Sequence, residues 1–239
     1  PESMISYVLG HEGEHSLLDQ LKRENLAEKL ACGLQANGAK NKELYIEIGL
    51  TDKGLHEYEI VIRRLFQAIN NFKEKGIPKY LFDDIKQIQT LEYQFQERQD
   101  VFENLMKEGA MITEENIATY PLHTKVIQEY NPEAVMELLN YMKPQNAIYF
   151  LKAPQETTNF VADMQEKWLK AQFSVHPIPP KLLEEWSKIS AHPAVHLPEA
   201  NPFIPNRLDI QPSQDLPDSD RAVPHPELIA QEDSGIYYY

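Results

Sequence analysis

Apolar residues recur along this chain with two different periods, and each change of period marks a new element. Leu17, Leu18, Leu21, Leu26 and Leu30 are spaced for one helix face, with Gly33 as the stop. Asn37-Gly38 marks a turn, and Leu44-Tyr45-Ile46-Glu47-Ile48 reads as a short strand. Thr51-Asp52 offers an N-cap, after which Ile60, Val61, Leu65, Phe66, Ile69 and Phe72 line a helix ending near Gly76. Pro78 suits the first turn of a further helix, roughly Lys79 to Lys107, carrying Phe82, Ile85, Ile88, Leu91, Phe95, Phe102 and Leu105. A shorter helix is expected over Pro132 to Met142. Ala147 to Leu151 reads as a second strand, and the stretch around Trp168 as partly ordered. Phe173 to Ile178 reads as a third strand, and Pro179-Pro180 opens a helix through Leu183 and Trp186.

After Ser190 the pattern fades: eight prolines fall between Pro193 and Pro226, which describes an extended strap or linker without regular structure. The expected fold is therefore α+β, an antiparallel sheet with long helices packed on one face, over residues 1–190, followed by a Pro-rich strap over 191–239. No internal repeat is present.

Composition narrows the function classes. A chain of 239 residues with 42% hydrophobic content can bury a substantial core. A formal charge of −14 argues against binding to a phosphate backbone, so nucleic acid is not an expected partner. Cys32 is alone, which excludes an intrachain disulfide; within the predicted helix it reads as a buried thiol. No run of 18 apolar residues and no signal-peptide pattern occurs, so a soluble protein without a membrane partner is expected, its compartment unassigned. Because the chain opens at Pro1 and runs at once into the apolar segment Met4 to Leu9, it reads as a fragment of a longer protein.

The chemistry concentrates in His11-Glu12-Gly13-Glu14-His15. Read forwards these residues are H-E-x-x-H; read as the inverted motif they are H-x-x-E-H. On a helix, His11 and His15 would project from one face one turn apart and share a metal, with a glutamate polarising the bound water. Gly13 works against such a helix by about 1 kcal/mol relative to Ala. His192 and His196 have the same spacing, but Pro193 between them argues against a helix and for solvated loop residues. His56, His123, His176 and His225 stand alone.

Several motifs resemble the second domain of the pitrilysin and insulysin (insulinase) zinc metallopeptidases: Leu9-Gly10-His11-Glu12-Gly13, Ser16-Leu17-Leu18, Leu50-Thr51-Asp52-Lys53-Gly54-Leu55, Pro144-Gln145-Asn146-Ala147, and Leu197-Pro198-Glu199-Ala200-Asn201-Pro202-Phe203-Ile204-Pro205. The resemblance implies one of four homologous α+β domains enclosing a chamber for unfolded peptides, normally a degenerate copy of the zinc-bearing first domain. It implies that the opening strands are missing here, leaving an exposed sheet edge and a tendency to self-associate.

By the same resemblance, the family's catalytic domains take a third ligand from a later helix, at the position of Glu92. A conditional site follows, with His11, His15 and Glu92 as zinc ligands and Glu14 as general base. Its alternative is a vestigial, metal-free site, in which zinc belongs to the parent enzyme alone and this fragment is inactive by itself. The resemblance also implies a strand edge that takes the substrate's N-terminal segment, here Gly38 to Ile48 with Gln20 nearby. Gln20, Gly38, Lys40, Lys42 and Leu44 are the candidate peptide-binding residues. Three functions stay open: a non-catalytic chamber domain that anchors peptide, a zinc-binding domain with its own site, and a structural scaffold. The expected partners are the parent's other domains and an unfolded peptide.

Overall fold

The computed structural model describes residues 1–36, 42–112, 115–205 and 207–209, and the backbone of 228–232 and 235–238. The chain divides into a larger unit, Pro1–Ile204, and a smaller one, Pro205–Tyr239. The larger unit opens with helices α1 (Glu2–Leu9) and α2 (Leu17–Arg23), followed by strands β1 (Ala27–Ala36) and β2 (Lys42–Leu50). Helices α3 (Asp52–His56), α4 (Tyr58–Lys75), α5 (Lys79–Gln94), α6 (Val101–Met111), α7 (Leu122–Lys125) and α8 (Pro132–Tyr141) follow. A two-residue ladder of β3 (Met164–Gln165) and β4 (Gln172–Phe173) precedes α9 (Pro180–Lys188). The fold is α+β, as expected, but its strands pair only two by two among the described residues.

The expected helix from Leu17 to Leu30 is replaced after Arg23 by a turn and a strand. Asn25 adopts the left-handed conformation with φ 57°, and the Leu26 amide closes the helix end on the Leu21 carbonyl at 2.8 Å. The four-residue step from Leu26 to Leu30 fits a helical face and also two strand repeats, so periodicity could not separate them. Cys32 consequently lies in β1, half-buried, where burial pushes its thiol pKa up to about 11. Antiparallel pairing sets Leu30 opposite Ile48, Cys32 opposite Ile46 and Leu34 opposite Leu44. Along β2 Leu44, Ile46 and Ile48 are half-buried while Glu43, Tyr45 and Glu47 are exposed, so the predicted strand has one inward face.

Thr51 caps α3 by accepting the Gly54 amide at 3.0 Å. Gly54 has to be glycine: a Cβ there would lie 1.8 Å from the Leu26 carbonyl oxygen. α4 buries Val61, Phe66, Ile69 and Phe72 and stops at Gly76, whose φ of 75° a side chain would oppose. The single predicted helix from Lys79 to Lys107 is two helices. It breaks over 95–100, where Asp100 accepts the Phe102 and Glu103 amides and starts α6 afresh. Ala147–Leu151 forms no strand; Ile148 and Phe150 are exposed, and Tyr149 packs against Trp186 with ring centroids 5.8 Å apart. A strand needs a neighbour to form a ladder, and none of the described residues provides one. Of the predicted Phe173–Ile178 strand, only Phe173 is paired.

The core joins Met4, Ile5 and Leu9 of α1 to Leu21, Leu26, Phe72, Leu81, Leu139 and Trp186, all but fully buried. The start of the Pro-rich run lies inside this unit. The main chain from the end of α9 into this run is held by side chains of the helices: Asn70 Nδ2 donates to the Ile189 carbonyl at 2.7 Å, Asn71 Nδ2 to that of Val195 at 2.5 Å, and Tyr80 OH to that of Pro198 at 2.6 Å. Asp84 accepts the Asn201 amide at 2.8 Å. In the smaller unit the run is not wholly irregular. β5 (Leu228–Glu232) and β6 (Gly235–Tyr238) form an antiparallel hairpin rich in apolar and aromatic residues, a correction to the expected featureless strap.

Two outcomes test this packing. Phe72→Ala should cost roughly 3–5 kcal/mol of stability in urea unfolding, as expected for emptying a fully buried aromatic site. His192 has a lowered pKa, through burial and then the nearby Arg64 charge, with Glu24 opposing. The unfolded chain therefore binds the proton first, so stability should fall as pH drops below the ordinary value of 6.5, and His192→Asn should flatten that slope.

Candidate functional site

The five motif residues sit in the connection between α1 and α2, not on a helix. α1 ends at Leu9, its cap Gly10 donating to the Ser6 carbonyl at 2.8 Å, and the chain bends at Gly13. The His11 ring folds back over that bend, since a Cβ on Gly13 would come 2.6 Å from His11 Nε2. Burial lowers the His11 pKa, with Glu12 opposing it, and the neighbouring Tyr7 ring lies 6.3 Å away. His15 takes a left-handed φ of 62°, after which Ser16 starts α2 by accepting the Asp19 amide at 3.1 Å. Asp19 returns the contact by accepting the His15 amide at 2.8 Å, so the turn is locked to the first turn of α2.

These contacts correct the expectation of a shared helix face. His11 packs beside Tyr7, whereas the His15 ring lies 4.8 Å from that of His196, and the His196 amide donates to the His15 carbonyl at 2.8 Å. Glu12 and Glu14 are exposed, as is Glu92 on α5. Among the described residues no three His, Cys, Asp or Glu side chains are disposed to hold a metal ion, so His11, His15 and Glu92 do not fit zinc as a set. The physical reason lies in the two glycines and the capping serine, which stop any helix from running through the motif.

The candidate peptide edge is better defined. β1 and β2 form a two-stranded sheet, so each strand has one edge without a strand partner among the described residues. Leu44 is half-buried opposite Leu34, and Lys42 pairs with Ala36 through its backbone. Gly38 and Lys40 lie outside the described residues. Gln20 is on α2, but its amide is engaged: it donates to Glu24, which also accepts from Arg64 Nε at 2.8 Å. Burial works to raise the Glu24 pKa, and the hydrogen bonds from Arg64 and Gln20 outweigh it and hold the carboxyl low. This ion pair ties the end of α2 to α4. Nothing local in the sequence announces it, because its partners are 40 residues apart.

The site is thus an α+β unit with the residues of a zinc motif in the loop between its first two helices, where they do not converge on a metal. The chain belongs to the M16 peptidase family: residues 1–89 match the pattern described as the peptidase M16 inactive domain, and residues 93–239 the middle or third domain of peptidase M16. The two matches meet inside α5. Human nardilysin is 29% identical over 250 aligned positions, covering 100% of this chain and 21% of nardilysin. Protease 3 of Escherichia coli strain K12 is 29% identical over 237, covering 97% of this chain and 23% of that protein. The crystal structure of pitrilysin superposes with a TM-score of 0.81 at 25% identity, covering 97% of this chain and 24% of that one. The chain thus spans less than a quarter of the length of these relatives. No helix among the described residues is long and apolar enough to cross a membrane.

Because the three donors do not meet, Glu92→Gln should leave zinc affinity near pH 8 unchanged in equilibrium dialysis. A tenfold or larger loss would show that Glu92 does join the histidines.

Proposed function

We propose that this chain is a non-catalytic domain of a zinc metalloendopeptidase, forming part of the wall of its substrate chamber and anchoring unfolded peptide along the open edge of the β1–β2 hairpin. In this reading zinc and the reacting groups reside in other domains of the parent, which are its principal partners. The match to an inactive domain and the dispersed ligand set support the non-catalytic part.

The single observation that carries the anchoring part is the two-stranded sheet, each strand of which has one edge without a strand partner among the described residues. An extended peptide can add there as a further strand, with main-chain hydrogen bonds giving affinity and few demands on sequence. The half-buried Leu44, Ile46 and Ile48 hold the hairpin on the core from one side, so the edge is presented by a fixed support.

Backbone pairing has a specific signature. A fluorescent unstructured peptide should bind the chain in anisotropy titrations, and the same peptide N-methylated at alternate residues should bind at least tenfold more weakly, since each methyl removes a donor. Equal affinity for both peptides would leave the scaffold reading in its place. The 239-residue chain should also leave such peptides uncut, and Glu14→Gln should change nothing, because Glu14 has no assembled metal site to serve.

A further inference from the structure

The turn that leads from α9 into the Pro-rich run is closed by an imidazole. The Ala194 amide donates to His192 Nδ1 at 3.3 Å, and the Val195 amide donates to the His192 carbonyl at 3.1 Å. A backbone N–H can only donate, so His192 Nδ1 offers a lone pair there and the neutral ring carries its proton on Nε2. The turn seats Val195, 4% exposed, in the core, where its carbonyl accepts Asn71 Nδ2 of α4. Beyond it the His196 amide donates to the His15 carbonyl.

A proton on His192 acts against this arrangement twice. It occupies Nδ1 and so sets two donors against each other where one hydrogen bond had been. It also adds a cation beside charges that are already matched: Arg64 of α4 is bound to Glu24 at the end of α2, and Lys53 Nζ donates to the Glu24 carbonyl at 2.9 Å. Burial and then the Arg64 charge disfavour the charged ring, and Glu24 offsets them only in part. Glu24 itself keeps its charge through mild acid, because the hydrogen bonds from Arg64 and Gln20 hold its carboxyl low. His196 differs from His192. Its Nε2 faces the Pro193 carbonyl at 3.1 Å, so that nitrogen is a donor whether the ring is neutral or charged. Its ring lies 4.8 Å from that of His15, and these two are the further titratable groups beside the turn.

We propose that the turn from His192 to Val195 is a proton-operated latch: a neutral imidazole holds it closed on α4, and an imidazolium opens it, loosening the stretch between the Ile189 and Pro198 anchors while the helices stay folded. The burial of Val195 and its bond to Asn71 oppose opening, so the open form is a minor population at neutral pH. Because the closed form holds the His192 pKa below the ordinary 6.5, that population grows as pH falls through and below this value. The lead into the Pro-rich run is thereby looser in mild acid.

Hydrogen exchange of the intact 239-residue chain, followed by NMR near pH 7.5 and near pH 5.5 and corrected for intrinsic exchange rates, reads the opening. Protection of the Val195 and His196 amides should fall at least about fivefold at the lower pH, the worth of one neutral hydrogen bond, while that of Ile69 and Phe72 in α4 holds. His192→Asn should remove the fall, since its Oδ1 takes the place of Nδ1 and accepts the Ala194 amide at either pH. His196→Gln should leave the fall in place. Unchanged protection in the unaltered chain overturns the proposal, because the ring then takes its proton without opening the turn. A fall that survives His192→Asn, or vanishes in His196→Gln, overturns it too and assigns the effect to the His15 and His196 rings. So does a fall shared equally by α4, which is global unfolding. Should His192→Asn lose its fold, the contrast with α4 and the His196→Gln chain still decide the matter.

Discussion

The burial of α1 is the constraint on which the rest of the larger unit depends. This eight-residue helix meets β1, α4, α5 and α8, placing Met4, Ile5 and Leu9 at the junction of all four. A helix so short has little stability of its own, and only tertiary packing makes it persist. The hairpin and the long helices both contact it, so the position of the hairpin and the path of the motif loop are both set by how α1 is seated.

That seating explains why the histidine motif can keep its letters without the geometry they suggest. The loop has to leave a buried helix at Gly10 and enter α2 at Ser16, and within that span it bends at Gly13 and turns left-handed at His15. His15 is engaged by Asp19 on one side and by His196 on the other. His15 thereby clasps the start of α2 to the Pro-rich run. The zinc-binding alternative therefore has its residue types but not their convergence.

Much of the architecture was legible where one signal acted alone. The amphipathic stripe from Ile60 to Phe72, the stop at Gly76 and the proline start of α9 all appear as read, since long periodic segments leave little choice. The Leu26 to Leu30 step was ambiguous because four residues close one helical turn and two strand repeats alike. Phe102 and Leu105 continued a helical period across a real break, and the break was written in Asp100, a capping residue hidden within a polar run. Ala147 to Leu151 is an unbroken apolar run of strand length, but such a run says nothing of whether a neighbouring strand is present. The family was legible from short motifs, whereas the Glu24–Arg64 pair and the His15–His196 contact depend on tertiary structure that no local pattern encodes.

The fastening of the Pro-rich run has a consequence for how this region tolerates change. Asn70, Asn71 and Tyr80 hold the stretch from Ile189 to Pro198, which leads from α9 into this run, by main-chain carbonyls, not by side chains. Every residue type carries that acceptor, so the exposed positions of this stretch can drift in sequence while its course stays fixed, apart from the buried Val195 and Pro198 and the half-buried Leu197. The selective burden falls instead on three donors in α4 and α5, more than a hundred residues earlier in the chain. The guide is thus written in the helices, and the segment they guide is free to vary.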